Sequence, residues 1–409
     1  MDSHQIGSKH KAQGLKYIKL EPAWRLRDTT YSDVYLQHPP AGTKFVYESL
    51  VQRNSWALLS RSPATFQIQR FLSEYLPIQL MKSELETHVV RQSGYHLTYA
   101  IDHLVLRSEP WVLEMTFELP FILTGSERTL SSFRSLVSKL LMSRNCKAII
   151  CQLTKGKEAV LQELGEDLAS KTFTIPRAIS IPVGRTLSRE KRTNDDYAPT
   201  ILFVNSGNIN APDSFYIKGG HYVVETFLKL RKVWPEARLV VRSSVPQIVR
   251  RRLKGILGIT LIDRPVSRSE MEVIWNSADI FMHPHFGNLS NVLLEAMAHG
   301  LPIVTTDTWA TPELVRDGTE GLLVHNQLAN TFTEGAVLHF MRPEYVRATR
   351  QLDEKMLDEL FEQTVTLIQN PSLGTKMGIC GFKRISQGIN SVETRNKALG
   401  DLLNSITSN

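Results

Sequence analysis

Short apolar runs recur through the second half of the chain, and each is separated from the next by a segment with helical periodicity. Runs of this length without polar alternation are typical of parallel strands that are buried on both faces. Their alternation with helices predicts a doubly wound parallel sheet. The predicted strands are ILFVN, RLVVRSS, ITLID, ADIFM and PIVTT, all between residues 201 and 306.

The first half of the chain has its own succession of elements. Strand-like runs are AIDHLVLR, PWVLEMTF and CKAIICQL, with helices near TFQIQRFLSEYLPIQL and KEAVLQELGEDLA. Because 409 residues exceed one compact core, we expect two domains. The polar stretch GRTLSREKRTNDDYAP is the best linker. We therefore predict a first domain at residues 1–186, a linker at 187–198, a second domain at 199–385 and a helical tail at 386–409.

The segment from His283 to Val324 joins a polar loop, a helix, a strand and a second loop. Ser290 is suited to cap that helix, and Gly300 ends it. The free N–H groups at its start favour an anionic group such as phosphate. Glu295 lies on this otherwise apolar helix, where a carboxylate is costly to bury without a partner. It therefore accepts hydrogen bonds from a ligand such as a sugar, or else it pairs with an arginine or reaches solvent.

This segment closely resembles the signature of retaining GT-B glycosyltransferases, in particular glycosyltransferase family 4, the group 1 enzymes. The family pattern is Glu, seven residues, Glu, Ala-Met-Ala-x-Gly-x-Pro-Val-Val, and later Pro-Glu-x-Val-x-x-Gly. The runs LEAMAHGLPIV (294–304) and PELVRDG (312–318) match it. The resemblance implies two Rossmann-like domains facing a central cleft, with the last helix crossing back to the first domain.

The resemblance implies a role for several residues on the donor side. Glu295 is the second glutamate, which holds the ribose hydroxyls of the donor, and Lys218 is the lysine that counters the diphosphate as the leaving group gains charge. Glu313 orients the loop after PIVTT or contacts the donor. The other predicted donor-binding residues are Gly207, Gly219, Ser290, Asn291, Trp309 and Ala310.

The sequence departs from the family pattern at three places. Gly287 stands where the first glutamate is expected, and His285 or Asn288 could supply a polar group in its place. Trp309-Ala310 replaces the usual Gly-Gly, although backbone N–H groups of other residues can also bind phosphate. The arginine that often accompanies the lysine is not evident, and Arg242 is either its substitute or an ordinary strand-end arginine.

On the acceptor side the resemblance is weaker and rests on the run Asp102-His103 followed by PWVLEMTFE. Candidate acceptor-side residues are His103, Glu114 and Glu118. The two glutamates fit a structural role better than a catalytic one, and a histidine in a strand is usually a satisfied polar residue.

Composition and charge limit the class of protein, its location in the cell and its partners. A hydrophobic content of 42% predicts a globular protein, and the absence of a long apolar run or signal-like N-terminus predicts a cytoplasmic one, with the inner face of the membrane as a further location. The net charge of +7 suits phosphorylated ligands or peripheral membrane contact. The basic run Arg250–Lys254 lacks the interleaved aromatic residues of a nucleic-acid platform, so no nucleic-acid partner is expected. Three cysteines without paired spacing indicate neither disulfides nor zinc.

The sequence thus predicts a hexosyltransferase-type enzyme that moves a sugar from a nucleotide-diphosphate donor to an acceptor hydroxyl with retention. We expect no cofactor and no metal, because there is no Asp-x-Asp and the lysine with the helix N-terminus can do the work of a cation. The expected acceptor is a glycan, a lipid-linked molecule or a small molecule. The alternative is a catalytically silent GT-B protein that binds a nucleotide sugar or partners an active transferase, as the missing carboxylate at Gly287 would allow.

Overall fold

A computed structural model describes residues 15–21, 30–46, 68, 71–89, 95–116, 119–181, 198–205, 213–287 and 291–407 of the chain. The contacts divide it into two compact units. Unit 1 holds the described residues up to Ser180, together with Gly335–Val337 and the C-terminal residues from Ile389. Unit 2 holds Ile181–Glu334 and Leu338–Gly388.

Unit 1 contains a six-stranded parallel sheet in the order β2-β1-β3-β4-β5-β6. Every residue of β3 and β4 is buried, as the apolar runs predict for strands covered on both faces. The predicted strand at residues 100–107 is shorter and shifted, because Asp102 adopts φ 50° and ends β3. The strands are β1 Lys16–Glu21, β2 Thr43–Val46, β3 Leu97–Ile101, β4 Trp111–Met115, β5 Cys146–Cys151 and β6 Thr172–Thr174.

The helices of unit 1 include one from the far end of the chain. In this last helix Leu399, Leu402 and Leu403 are buried in the same core cluster as Ile18 of β1. Lys16 Nζ donates a hydrogen bond of 2.8 Å to Asn404 Oδ1 of that helix. The helices are α1 Thr30–Leu36, α2 Ile78–Val89, α3 Glu127–Met142, α4 Thr154–Leu164 and, from the C-terminus, α15 Val392–Thr407.

Unit 2 contains a second six-stranded parallel sheet, in the order β12-β11-β10-β7-β8-β9. All five strands predicted between residues 201 and 306 are present. The sheet grows in one direction from β7 through β8 to β9, and in the other through β10 to β12, so the order reverses between β7 and β10. The strands are β7 Thr200–Val204, β8 Arg238–Arg242, β9 Ile259–Ile262, β10 Ile280–His283, β11 Ile303–Thr306 and β12 Gly321–Val324.

The helices of unit 2 alternate with these strands. Residues 333–338 form a short two-stranded sheet of β13 Thr333–Glu334 and β14 Val337–Leu338, which was not predicted from the sequence. A strand of two residues is too short to show the alternation of apolar and polar positions by which strands are predicted. The helices are α5 Ser214–Ile217, α6 Gly220–Leu230, α7 Gln247–Leu253, α8 Arg268–Ser277, α9 Asn291–Ala298, α10 Thr311–Leu314, α11 Gln327–Thr331, α12 Pro343–Ala348, α13 Glu354–Gln369 and α14 Pro371–Ser386.

Candidate functional site

The candidate site lies at the carboxyl edge of the sheet in unit 2. Because all six strands are parallel, the residues that end them and the loops that follow share one edge. In open sheets of this kind, ligands bind at the carboxyl edge where the strand order reverses. In unit 2 that position lies between β7 and β10.

Lys218 and Gly219 form the turn between α5 and α6. Gly219 adopts φ 74°, and a Cβ built there would lie 2.1 Å from the carbonyl oxygen of Pro284, in the loop after β10. Phe286 N in the same loop donates a hydrogen bond of 2.7 Å to Ile217 O. The glycine thus allows the turn that carries Lys218 to pack directly on the backbone of the β10 loop.

The charge of Lys218 acts on two buried histidines. Burial is the largest cause that lowers the pKa of His283 and His285, and the nearby Lys218 ammonium lowers both further. For His285 the result is a pKa of about 3. Both rings are therefore neutral at physiological pH, and Lys218 is the cation of this part of the site.

The ring of His285 forms hydrogen bonds to the loop after β10 and to the start of α10. Its Nδ1 donates to Gly287 O at 2.9 Å, because a carbonyl oxygen can only accept, and its Nε2 lies 3.0 Å from Thr311 Oγ1. The ring is 0% exposed. His285 therefore does not present a polar group to a ligand in place of the missing glutamate, as the sequence had suggested it could. It links the loop after β10 to the start of α10.

Gly287 marks the position of the missing carboxylate. A Cβ there would lie 3.0 Å from Ile217 Cγ2 and 3.4 Å from Phe340 Cδ2. A larger side chain at this position would require Ile217 to move. Among the described residues, the side chains nearest to this position are therefore apolar, unlike those expected around a carboxylate beside a transferred sugar.

Glu295 lies in the second turn of α9 and is partly exposed. Its carboxylate acts electrostatically on Arg242, the last residue of β8. Asn291 is the first residue of α9 and is also partly exposed. Three predicted residues, Gly207, Ser290 and Asn288, lie outside the described residues.

Trp309 has a backbone conformation that glycine would favour, whereas Ala310, with φ −97°, does not. Trp309 has φ 51°, in the left-handed region where a bulky residue is rare. Its side chain is buried, and Ala310 is buried beside it. The surrounding packing holds the strained residue, as is common at ligand-binding loops. One of the two positions where the family pattern has glycine thus keeps a left-handed backbone, although it carries a bulky side chain.

Glu313 is partly exposed in α10, and its carbonyl oxygen accepts a hydrogen bond from Arg384 of α14.

Glu320, which was not predicted from the sequence, holds this loop in place. Glu320 is 0% exposed and forms ion pairs with Arg316 and, at 3.5 Å, with Arg384. Burial is the largest single influence on the pKa of Glu320 and raises it, but the hydrogen bonds from Arg316 and the charges of Arg384 and Arg316 together lower it below its ordinary value. Only the fold brings Arg384 to this loop, so no local pattern could have shown the network.

The predicted acceptor-side residues lie in unit 1. The Glu114 carboxylate is buried and accepts hydrogen bonds from the hydroxyls of Tyr35 and Tyr99 and from Gln152 Nε2. Because three buried donors already bind this carboxylate, a structural role for Glu114 is favoured over a catalytic one. His103 Nδ1 lies 3.2 Å from Ser83 Oγ. Glu118 lies outside the described residues.

The basic run at residues 250–254 is largely a solvated surface. Arg250 forms an ion pair with Asp263, and Arg252 forms one with Glu225. Arg251 is exposed. Among the described residues, no group of three or more His, Cys, Asp or Glu side chains is arranged to hold a metal ion.

Comparison with known proteins gives matches in sequence and in fold. Residues 198–339 match a family model described as "Glycosyl transferases group 1". A stretch of 92 residues is 34% identical to alpha-maltose-1-phosphate synthase of Mycobacterium tuberculosis. That match covers 22% of this chain and 23% of the relative, so it spans less than a quarter of either protein.

Similar solved structures cover nearly the whole chain at low identity. Anabaena HepE in complex with UDP-glucose is 13% identical with a TM-score of 0.58, over 96% of this chain and 100% of that one. Sucrose-phosphate synthase from Thermosynechococcus elongatus is 14% identical with a TM-score of 0.61, over 96% and 99%. The predicted GT-B fold class, with one Rossmann-like sheet in each unit, is confirmed. The chain is therefore a GT-B fold protein whose residues 198–339 match the group 1 glycosyl transferases.

Proposed function

We propose that this protein is a retaining glycosyltransferase that moves a sugar from a nucleotide-diphosphate donor to an acceptor hydroxyl without a metal ion. The observation that carries the proposal is the placement of Lys218 and Glu295 at the carboxyl edge of one sheet, within the segment that matches group 1 glycosyl transferases. Each flanks the loop after β10, Lys218 through its packing and Glu295 through the helix that follows.

The chemistry proposed is mainly stabilisation of the leaving group. Breaking the bond between sugar and diphosphate places negative charge on the diphosphate, and a positioned ammonium group stabilises that charge. Lys218 supplies the ammonium, and the N-terminal N–H groups of α9 supply a partial positive charge. Glu295 accepts hydrogen bonds from the ribose hydroxyls. The loop at Trp309, whose backbone is strained, and Ala310 presents N–H groups to phosphate, and Glu313 orients that loop.

The proposal extends to the base of the donor nucleotide and to the molecule that supplies the acceptor hydroxyl. The structures of HepE contain UDP-glucose or UDP, so a uridine nucleotide is the first donor to test. The acceptor hydroxyl belongs to a glycan, a lipid-linked molecule or a small molecule, and we include peripheral contact with the inner face of the membrane in the proposal. Within the described residues, no helix has both the length and the apolar character needed to cross a membrane.

Nucleotide binding is expected to stabilise the folded protein. A ligand at one hundred times its dissociation constant adds about 2.7 kcal/mol to the free energy of unfolding. UDP, GDP and ADP should therefore be compared by thermal shift, with the corresponding nucleosides as controls. We expect one diphosphate to raise Tm more than the other two. If no diphosphate changes Tm at millimolar concentration, the proposed donor site is wrong.

Replacement of Glu295 by glutamine is expected to remove much of the preference for an intact ribose. Hydrogen bonds to a carboxylate are stronger than those to an amide, so the ratio of affinities for UDP and 2′-deoxy-UDP should fall by about tenfold. Isothermal titration calorimetry measures both affinities. Glu362→Gln, on the exposed surface of α13, is the matched control. A ratio equal to that of the wild type would exclude the ribose role.

A second candidate function is a catalytically silent nucleotide-sugar-binding or partner protein. It is favoured by the absence of a carboxylate at Gly287 and by the close approach of Ile217 to that position. Binding of UDP-sugars without hydrolysis or transfer would support it. Because a glutamate at 287 needs space, the restoration test is the pair Gly287→Glu with Ile217→Ala. Turnover that appears only in the double variant would establish the silent function for the wild type.

A further inference from the structure

The connection between β3 and β4 in unit 1 contains no helix. These strands are parallel neighbours, and residues 102–110, all of them described, join them as an irregular segment. Such strands are usually joined by a helix, in a connection of about a dozen residues or more. The chain moves in the same direction along the sheet from β2 to β3, to β4 and to β5, so right-handed connections place α2, this segment and α3 on one face. A helix position between α2 and α3 is therefore left without a crossover helix.

An open groove lies between α2 and α3 at this position. Its volume is about 390 Å³, and Leu106 of the connecting segment lines it together with residues of both helices. Leu104 and Val105 of the same segment are buried. The connecting segment thus covers the sheet with apolar side chains, but it does not fill the space between the two helices.

The two walls of the groove are formed by side chains that share one face of each helix. Met81 on the first wall is 49% exposed and Leu136 on the second is 47% exposed, so the described residues cover these faces only in part. An apolar stripe on a helix normally packs against another element. The lining residues of the walls are Leu80, Met81 and Glu84 on α2, and Phe133, Leu136 and Leu140 on α3.

Aromatic side chains continue this apolar surface beyond the start of α2. Phe71 and Tyr75 are both exposed, and their ring centroids are 5.3 Å apart. The guanidinium of Arg128, near the start of α3, lies 5.0 Å from the centroid of the Tyr75 ring. The aromatic pair therefore adjoins the same two helices as the groove. Contiguous exposed apolar surface of this kind usually marks an interaction site.

The charges on the α3 side of the groove are mainly positive. The basic residues of α3 are Arg128, Arg134 and Lys139, and its acidic residue is Glu127. Arg134 forms an ion pair of 3.0 Å with Glu163. Arg128 and Lys139 are exposed, and Lys139 lies three positions after Leu136 of the groove wall. An occupant with negative charge along this side would be electrostatically complementary.

We propose that the groove between α2 and α3 binds an amphipathic helix of a partner protein, with the apolar stripe of that helix between the two walls and an acidic flank facing Arg128 and Lys139. The partner helix takes the position of the absent crossover helix, about 8–10 Å from the axes of its neighbours. Recognition of a helix in a groove uses apolar anchors at i, i+3, i+4 and i+7. The inference concerns unit 1 alone and goes beyond the proposed function.

The shape of the groove favours a helix over the other occupants of an apolar surface. A flat bilayer would reach Met81 and Leu136 at the rims, but it would not fill the space beside Leu106. An acyl chain in so open a groove would keep one side in water. Two copies of the chain in a symmetric contact would place one concave surface on another and leave a gap between them.

The test is selection from a display library of helical peptides on the purified full-length chain. The library carries leucine at i, i+3, i+4 and i+7 and random residues elsewhere. We expect the enriched peptides to carry Asp or Glu along one flank of the leucine stripe. Basic flanks, or no enrichment over an unrelated protein, would overturn the proposal.

Leu136→Glu is expected to weaken the binding of an enriched peptide by about 10- to 100-fold, because it places a charge in the apolar wall. Met142→Glu is the matched control, since Met142 lies on the same helix, is 43% exposed and does not line the groove. Its affinity should stay within about twofold of the wild type. Calorimetry measures both affinities, and equal losses in the two variants would contradict the assignment.

Lys139→Glu provides a second measurement that leaves the apolar wall intact. We expect it to weaken the acidic peptide by about three- to tenfold, and to leave a version of that peptide with glutamine in place of its acidic residues within about twofold. An unchanged affinity for the acidic peptide would exclude the charge complementarity. Thermal unfolding of each variant checks that it is folded.

Three further measurements address the other occupants. They are cosedimentation with vesicles of phosphatidylcholine and phosphatidylglycerol, calorimetry with a fatty acid, and light scattering of the protein alone. We expect none of them to depend on Leu136. Binding to vesicles or to the fatty acid that Leu136→Glu abolishes, or a dimer that it dissociates, would assign the groove to that occupant and overturn the proposal.

Discussion

Replacement of Lys218 by alanine is expected to reduce kcat/KM for the nucleotide-sugar donor by about 100- to 1000-fold. The physical reason is that the ammonium group stabilises charge that develops on the diphosphate as the bond to the sugar breaks. Lys218 is suited to this role because the neighbouring His283 and His285 are neutral and cannot replace its charge. Initial rates of donor hydrolysis or transfer measure the effect.

The matched control for this variant is Lys229→Ala. Lys229 lies on α6 and forms an ion pair with Asp358 on the surface. Pairs of this kind contribute little to stability, so its removal should leave kcat/KM unchanged. If Lys218→Ala and Lys229→Ala have the same kinetics as the wild type, Lys218 takes no part in the reaction.

Replacement of Gly219 by alanine is expected to lower the free energy of unfolding by about 3 kcal/mol or more. Two costs add. The left-handed φ of 74° disfavours any residue with a Cβ, and the new Cβ would lie 2.1 Å from the carbonyl oxygen of Pro284. The backbone of one loop must then move. Chemical denaturation of the variant and the wild type gives the difference in free energy.

The control separates these two costs. Gly255 also adopts a left-handed conformation, with φ 85°, but a Cβ there would have no atom within 4 Å. Gly255→Ala should therefore show the conformational cost alone, about 1 kcal/mol. Equal destabilisation by the two substitutions would mean that the β10 loop does not pack on Gly219 as described. Because the same contact positions Lys218, donor turnover should fall only in Gly219→Ala.

The fold of unit 2 was largely predictable because its strands and helices are specified locally. Each strand between residues 201 and 306 is a short apolar run, and Gly300, with φ 64°, follows the helix that it was predicted to end. Such signals act over a few residues and need no knowledge of the partner strand. The short sheet of β13 and β14 was not predicted, because a strand of two residues is too short to show an alternation of apolar and polar positions.

The candidate site was predictable only in part. The motif indicated Lys218 and Glu295, and their roles in binding and catalysis stay predictions. The partners that surround them were not visible in the sequence. No residue of the motif revealed that Glu320 pairs with Arg384, and no sequence pattern revealed the hydrogen bond from Arg242 to Asn205 O.

The sequence by itself determined the order and type of the elements, the glycine at the Lys218 turn and the absence of a carboxylate at Gly287. Only the tertiary structure decided that His285 faces inward between two loops, that Trp309 is held in a strained conformation, and that the guanidinium of Arg242 lies within electrostatic reach of Glu295. The physical reason is the separation along the chain of the residues that interact. Periodicity and turn chemistry act between near neighbours in the chain, whereas burial, charge pairing and ring contacts depend on residues that only folding brings together.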